Sequence, residues 1–384
     1  MNIICLSTQN WDDSFWTNKQ HIMSQLSKDH RVIYVDRGVL GLRYFFYKRI
    51  TASNTIFSLK FFFRLFEERT KNLTILTEKF NFPIPFAFKS WLVKRYIKKH
   101  KIKDPILWIY QPEYEKYIGQ FGEKLVVYDC VDEYSAFPSY KNKKDEIIET
   151  EKRLMRKADL VITSSEHLYQ VKKQFNPRTY LIHNVADYDH FVRVFEKDLP
   201  LPKDIKNIPK PIIGFIGAID SYKVNLDLLD NIAENRPNYS IVLIGSIGKV
   251  DSSTRISSLR KRKNVFFLGE KPYGLLPNYI NSFDVCMIPY NLNDYTENCF
   301  PIKFFEFMAT GKPVIATALP ALANYAEYIE YVKTNNDFVL GIDKLLKGDN
   351  ETQKMKRVEI ARNNSWQTRI DKITEKFGSA AQLS

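Results

Sequence analysis

The stretch Pro301-Ile-Lys-Phe-Phe-Glu-Phe-Met-Ala-Thr-Gly-Lys-Pro-Val-Ile-Ala-Thr317 has residue types that suit a phosphorylated, hydroxyl-rich ligand. Pro301 fits the first turn of a helix and not its interior. Phe304, Phe305, Phe307 and Met308 give that helix a buried side. Lys303 and Glu306, three residues apart, share a face near its start. Gly311 and Pro313 end the helix, and Val314-Ile315-Ala316 reads as a short buried strand. The helix start at Pro301, Ile302 and Lys303 offers free N–H groups and the positive end of a dipole to a phosphate. Lys303 adds a point charge. Glu306, which only accepts hydrogen bonds when ionised, suits the two vicinal hydroxyls of a ribose. From spacing alone the pair also fits an ordinary solvated helix face.

Other candidates sit where strands end. In Tyr128-Asp-Cys-Val-Asp-Glu-Tyr134 a buried strand terminates in carboxylates. Asp132 lies past the strand in the loop and is the better-placed general base; Asp129 is the second choice. A helix cap or an acidic turn is the competing reading. Gly217 ends the strand Pro211-Ile-Ile-Gly-Phe-Ile-Gly217 in a tight turn, where backbone can approach a diphosphate. Lys223 follows within reach of the same phosphates. Asn10, Trp11 and Asp12 occupy the first strand-to-helix loop and are candidates for acceptor or donor-sugar contacts. His21 on the next helix reads as a packed histidine rather than a catalytic one. Asp187-Tyr-Asp189 reads as a structural turn, and no metal is expected.

These residues need a scaffold that brings strand ends together. Strand–helix–strand units recur twice, from residue 2 to about 182 and again from 211. The predicted organisation is α/β, with two doubly wound parallel-sheet domains at 1–195 and 211–364. A Pro-rich, charged linker at 196–210 joins them, and a closing helical segment occupies 365–384. In such sheets ligands bind beyond the carboxyl ends of the strands, so the cleft between the domains is the expected site.

The P-x-K-x-x-E-F-M-A-x-G-K-P-V-I-A-T pattern resembles the nucleotide-sugar signature of GT-B glycosyltransferases, in the family 4-like branch making bacterial polysaccharides and teichuronic-type polymers. The resemblance extends over nearly the whole chain, including the Y-D-x-x-D word and Asn184-Val-Ala-Asp-Tyr-Asp-His-Phe191. It implies a GT-B fold whose final helix crosses back to the first domain. It implies that Glu306 holds the nucleotide ribose and that Lys303 lies near the diphosphate. The loop containing Gly269 would line the base pocket through its backbone. Many relatives carry a second glutamate eight positions before the first; here that position is Asn298, with Glu297 beside it, so the donor-sugar contact departs from the pattern. The implied activity is transfer of a hexosyl-type sugar from a UDP- or GDP-sugar, with no cofactor required, to a lipid-linked or growing polysaccharide acceptor. A nucleotide-sugar epimerase of the same layout, and a non-catalytic membrane-surface or nucleic-acid-binding protein, are the competing readings.

Charge bears on location. The chain's net charge is +13, and residues 41–103 hold fifteen Lys or Arg against three Glu, a net of +12. Fifteen aromatics are interleaved there. That composition suits an anionic membrane surface; a solvated basic face with its aromatics in the core is the competing reading, and although single-stranded nucleic acid would also suit it, no nucleic-acid partner is expected. Four scattered cysteines read as reduced thiols. The start has no signal-peptide pattern, and no apolar run spans a bilayer. The expected location is cytoplasmic, attached peripherally to the inner face of the membrane.

Overall fold

The computed structural model describes residues 1–13, 16–37, 66–76, 86–248 and 253–381. Much of the basic aromatic segment, 38–65 and 77–85, therefore lies outside the described residues.

Two parallel sheets form the two halves. The first has eight strands in the order β3-β4-β2-β1-β5-β6-β7-β8. They are β1 Asn2–Leu6, β2 Arg31–Val35, β3 Phe66–Thr70, β4 Leu73–Leu76, β5 Ile106–Ile109, β6 Leu125–Cys130, β7 Leu160–Thr163 and β8 Thr179–Leu181. Only the edge strand β3 runs antiparallel, and it carries Glu67 and Glu68. The second sheet has six parallel strands in the order β11-β10-β9-β12-β13-β14. These are β9 Ile212–Ile216, β10 Ser240–Ile244, β11 Val265–Gly269, β12 Val285–Ile288, β13 Val314–Thr317 and β14 Glu330–Val332. Central strands such as Ile3-Ile4-Cys5 and Ile212-Ile213 are buried on both faces, which explains their unbroken apolar runs. This is the expected α/β architecture of two doubly wound domains.

Strand order determines where a ligand can sit. In the first sheet the chain winds outward in both directions from β1 and β5, and in the second from β9 and β12. The loops after these strands diverge and open a crevice at their carboxyl ends. Asn10 and α1 (Asn18–Leu26) follow β1, Lys223 follows β9, and residues 289–301 follow β12.

The segment 196–210 packs on the second domain. Ile205 joins its core, Tyr279 donates to Asp204 at 2.8 Å, and Lys271 pairs with Asp204 at 2.7 Å. The closing helix α11 (Trp366–Ala381) instead puts Trp366, Ile370, Ile373 and Phe377 into the core of the first domain. Asn184 binds three elements where the domains meet. Its Oδ1 accepts from Asn18 at 2.6 Å and from Arg369 at 3.0 Å, and its Nδ2 donates to the Phe300 carbonyl at 2.9 Å. Among the described residues, no helix is long and apolar enough to cross a membrane.

Candidate active site

Helix α8 (Ile302–Ala309) is fixed by its apolar side. Phe304, Phe305, Phe307 and Met308 are fully buried, and Phe300, Phe304, Phe305 and Tyr325 form one aromatic cluster. Pro301 is the N-cap and no side chain caps the helix, so its first amides are left for another acceptor. Gly311 closes the helix at φ +67, a conformation only glycine adopts without strain. A Cβ there would also come within 2.7 Å of Lys354.

Lys303 Nζ lies 2.6 Å from Glu306 Oε2. The contact is ionic but off the hydrogen-bond angle, and the buried Oε2 atom has no hydrogen-bond partner. The Tyr273 hydroxyl is likewise buried and unbonded. Burial, and then the nearby Glu306 and Asp187 carboxylates, push that phenol well above its ordinary range. A buried carboxylate oxygen and a buried hydroxyl without hydrogen-bond partners are what a hydroxyl-rich ligand would satisfy.

Across the cleft, Asp132 stands in the loop after β6 and accepts from the Tyr295 hydroxyl of the second domain at 3.4 Å. Burial raises its pKa, opposed by the charges of Lys19 and Lys223 and by the Tyr295 bond. The helix-cap reading belongs to its neighbour: Glu133, not Asp132, accepts from the Ser135 amide at 3.3 Å. Glu133 and Glu151 share Lys172, at 2.8 Å and 2.6 Å. Glu151 also accepts from Tyr128 at 2.6 Å, so the residues around Asp132 are braced from behind.

Asp129 lies elsewhere. It is 0% exposed on β6 and 3.8 Å from Arg369 of α11, itself buried, and neither of its oxygens makes a hydrogen bond. Burial raises its pKa against the pull of Arg369 and Lys19.

The remaining candidates separate clearly. Gly217 ends β9 at φ +155, and its carbonyl lies 1.9 Å from where a Cβ on Gly245 would be, so both turns need glycine. Lys223 packs its ammonium over the Tyr290 ring, 4.8 Å from the centroid. Gly269 ends β11 at φ +70 and is exposed. Trp11 is buried, edge-on to Trp16 and Tyr34, with its amide bonded to Asp36 at 2.8 Å. Asn10 uses its carbonyl on Gln20. Glu297 is exposed, while Asn298 bonds within its own loop to the Asp294 carbonyl and accepts from Ser165 Oγ across the domains at 2.8 Å. His21 packs as a plain aromatic, 4.9 Å from Trp366 at an interplanar angle of 12°. Asp187 caps the short turn Tyr188–Phe191.

Sequence reasoning missed Tyr295, Tyr273, Lys19 and Arg369. Lys19 had a usable signal: it stands in the first turn of the helix that follows the first central strand.

Residues 201–362 match the family model described as glycosyl transferases group 1. The fold is GT-B, and the matched domain is that of a glycosyltransferase. It is 26% identical over 287 residues, 71% of each chain, to the putative teichuronic acid biosynthesis glycosyltransferase TuaH of Bacillus subtilis (strain 168). Its fold matches the sucrose-phosphate synthase of Thermosynechococcus elongatus at a TM-score of 0.69 and 16% identity, covering 100% of this glycosyltransferase and 99% of that chain. Anabaena HepE, solved in complex with UDP and glucose, matches at a TM-score of 0.65 and 15% identity, over 98% and 99% of the two chains.

Proposed function

We propose that this glycosyltransferase moves a hexosyl-type sugar from a UDP- or GDP-sugar to a lipid-linked or growing polysaccharide acceptor in cell-envelope polysaccharide synthesis. The observation that carries the reading is the Lys303–Glu306 pair at the uncapped start of α8, on the cleft that Asp132 enters from the other domain. Glu306 holds the ribose hydroxyls. Lys303, the amides at the helix start, Lys223 and the turn at Gly217 stabilise the departing diphosphate. Gly269 and its loop line the base. In this reading these positive groups take the role that a divalent cation has in metal-dependent transferases, so chelation should leave turnover intact. Asp132 takes the acceptor proton if the anomeric centre inverts, or positions the donor sugar if it is retained. Asn10, Glu297 and Asn298 line the sugar end of the cleft, and Trp11 supports the loop beneath it. Asp129, sealed under α11, positions the helix rather than touching substrate.

The reading includes attachment to the inner face of an anionic membrane. Helix α2 (Phe86–Lys99) buries Leu92, Val93 and Tyr96 and presents Phe88 and Trp91 outward, 44% and 49% exposed. These two rings stack at 5.4 Å, Arg95 lies over Trp91, and Lys94, Lys98 and Lys99 are exposed beside them. Exposed aromatics among cations suit lipid headgroups. Similarity to TuaH, named for teichuronic acid biosynthesis, favours a role in polysaccharide synthesis.

The deciding experiment screens UDP- and GDP-sugars for slow donor hydrolysis and measures thermal stabilisation by UDP and GDP. One nucleotide should stabilise the protein, and Glu306→Ala should remove that effect. Indifference to both nucleotides would refute the reading.

A further inference from the structure

The loops after β5 and β6 hold a chain of side chains that the reading above leaves unused. β5 is one of the two central strands from which the first sheet winds outward, and β6 lies beside it, so both loops border the crevice. After β5 the backbone makes the tight turns Pro112–Tyr117. The Tyr114 hydroxyl there donates to the Ser7 carbonyl at 3.1 Å, which ties these turns to the loop after β1. After β6 come Asp132 and two further tight segments, Tyr134–Ala136 and Pro138–Lys143. The Tyr140 amide donates to the Phe137 carbonyl at 2.9 Å, so Phe137 and Tyr140 belong to one turn.

Hydrogen bonds join the two loops. Gln111 Nε2 donates to the Tyr140 hydroxyl at 2.5 Å, and that hydroxyl donates to Glu113 Oε1 at 2.7 Å. One carboxylate oxygen is thereby fixed. The other, Glu113 Oε2, is buried and has no hydrogen-bond partner among the described residues. Taking such an oxygen out of water without a donor is costly. An aromatic surface adjoins this relay. Phe137 is half-buried, with its ring edge-on to Tyr295 at 5.1 Å and 65°. Tyr295 in turn donates to Asp132 at 3.4 Å. Glu113, Tyr140, Phe137, Tyr295 and Asp132 therefore form one continuous path from the β5 loop to the transfer centre. A phosphate would be repelled by the carboxylate, and a purely apolar ligand would leave Oε2 unpaired. A sugar ring satisfies both features, with a hydroxyl for the carboxylate and a C–H face for the aromatic ring.

We propose that Glu113 and Phe137 form a subsite for the acceptor saccharide, in which a sugar hydroxyl donates to Glu113 Oε2 and the apolar face of the ring packs on Phe137. The inference rests on the reading that the protein transfers sugar to a saccharide acceptor. Gln111 and Tyr140 are positioning residues: their relay holds the Glu113 carboxylate in place through Oε1 and keeps Oε2 for the ligand.

The test titrates the full chain with the methyl glycosides of glucose, galactose and N-acetylglucosamine, with UDP or GDP present, and follows binding by saturation-transfer NMR. At least one glycoside should bind the parent. Glu113→Gln and Phe137→Ala should each weaken that binding at least about fivefold, and Tyr140→Phe should weaken it by less. The dissociation constant for the nucleoside diphosphate should stay within about twofold of the parent in all three, because the nucleotide belongs to the other domain. A role confined to folding would lower both affinities together. If Phe137→Ala no longer binds the nucleotide, Phe137→Leu, which keeps the apolar bulk and lacks the ring face, is read the same way. Parental glycoside affinity in Glu113→Gln, or in the Phe137 variant, overturns the proposal, as does a parent that binds none of the three glycosides. Glycoside binding that depends on Glu113 and Phe137 in a protein indifferent to both nucleotides would sustain the subsite and refute the transferase reading instead.

Discussion

The Tyr295 hydroxyl of the second domain lies 3.4 Å from Asp132 Oδ1 of the first. With the Ser165–Asn298 bond it ties the two domains together across the cleft. The length marks it as a weak hydrogen bond. Tyr295→Phe should therefore reduce turnover by less than about tenfold, within the ~1 kcal/mol that such a bond contributes. Steady-state kinetics decide it; a loss of several orders of magnitude would give the phenol itself a proton to carry.

Glu306→Ala should weaken nucleoside diphosphate binding at least about tenfold while leaving the melting temperature near the parent's. The partner cation Lys303 keeps 18% of its side chain exposed, so water can solvate it once the carboxylate is gone, unlike the fully buried Arg369. Calorimetric titration with UDP and GDP is the check, and an unchanged dissociation constant would take the ribose from this residue.

The two aspartates of the β6 end should fail in different ways. Asp132→Asn should abolish transfer and spare nucleotide binding. Asp129→Asn should cost stability instead, because it leaves the Arg369 guanidinium buried beside a neutral amide. Breaking a buried pair in this way costs roughly 3–5 kcal/mol. Denaturant titration and a nucleotide-binding assay on both variants separate the roles.

His21 and Asp36 should give stability opposite slopes over one pH window. Burial, with Lys303 and His190 nearby, lowers the His21 pKa from 6.5 to about 3. The unfolded imidazole takes a proton first, so this group makes stability fall as pH drops from about 6.5 toward 3. Burial raises Asp36 from 3.8 to about 7, although it accepts from the Trp11 amide. The unfolded carboxyl ionises first, so this group makes stability fall as pH rises from about 4 to 7. Each slope is at most about 1.4 kcal/mol per pH unit, and in the parent they largely cancel. Between pH 4 and 7, Asp36→Asn should gain stability with rising pH, and His21→Phe should lose it. Two flat profiles in urea would show that neither group titrates as described.

Neutralising Lys94, Lys98 and Lys99 together should weaken binding to anionic vesicles by about two orders of magnitude at moderate salt, at ~1 kcal/mol for each basic residue. Donor hydrolysis should be spared. Vesicle sedimentation with neutral and anionic lipid tests this; equal binding to both would leave α2 an ordinary solvated helix.

Much of this molecule can be read from local patterns, because its central strands are buried on both faces. Ile212–Ile216 and Leu160–Thr163 announce themselves as unbroken apolar runs between turns. The α8 start is legible for the same reason: Pro301, the phenylalanines and Gly311 all act within one short stretch. β3 is not, since an edge strand carrying Phe66-Glu-Glu-Arg-Thr70 depends on its partner β4 for its form. Arg369 and Tyr295 are illegible for a further reason. Each acquires meaning from a residue more than 150 positions away, Asp129 and Asp132, and no local spacing records that.

The crossing of α11 has a consequence for how the protein comes into being on the ribosome. Trp366, Ile370, Ile373 and Phe377 complete the core of the first domain, and Arg369 supplies the charge opposite Asp129. The N-terminal half therefore emerges long before the residues that finish its interior. Until they arrive, it presents an open apolar face and a lone carboxylate, the state that chaperones and proteases recognise. A chain cut short before residue 366 never closes that face, so the same helix that joins the two halves withholds a finished cleft from incomplete products.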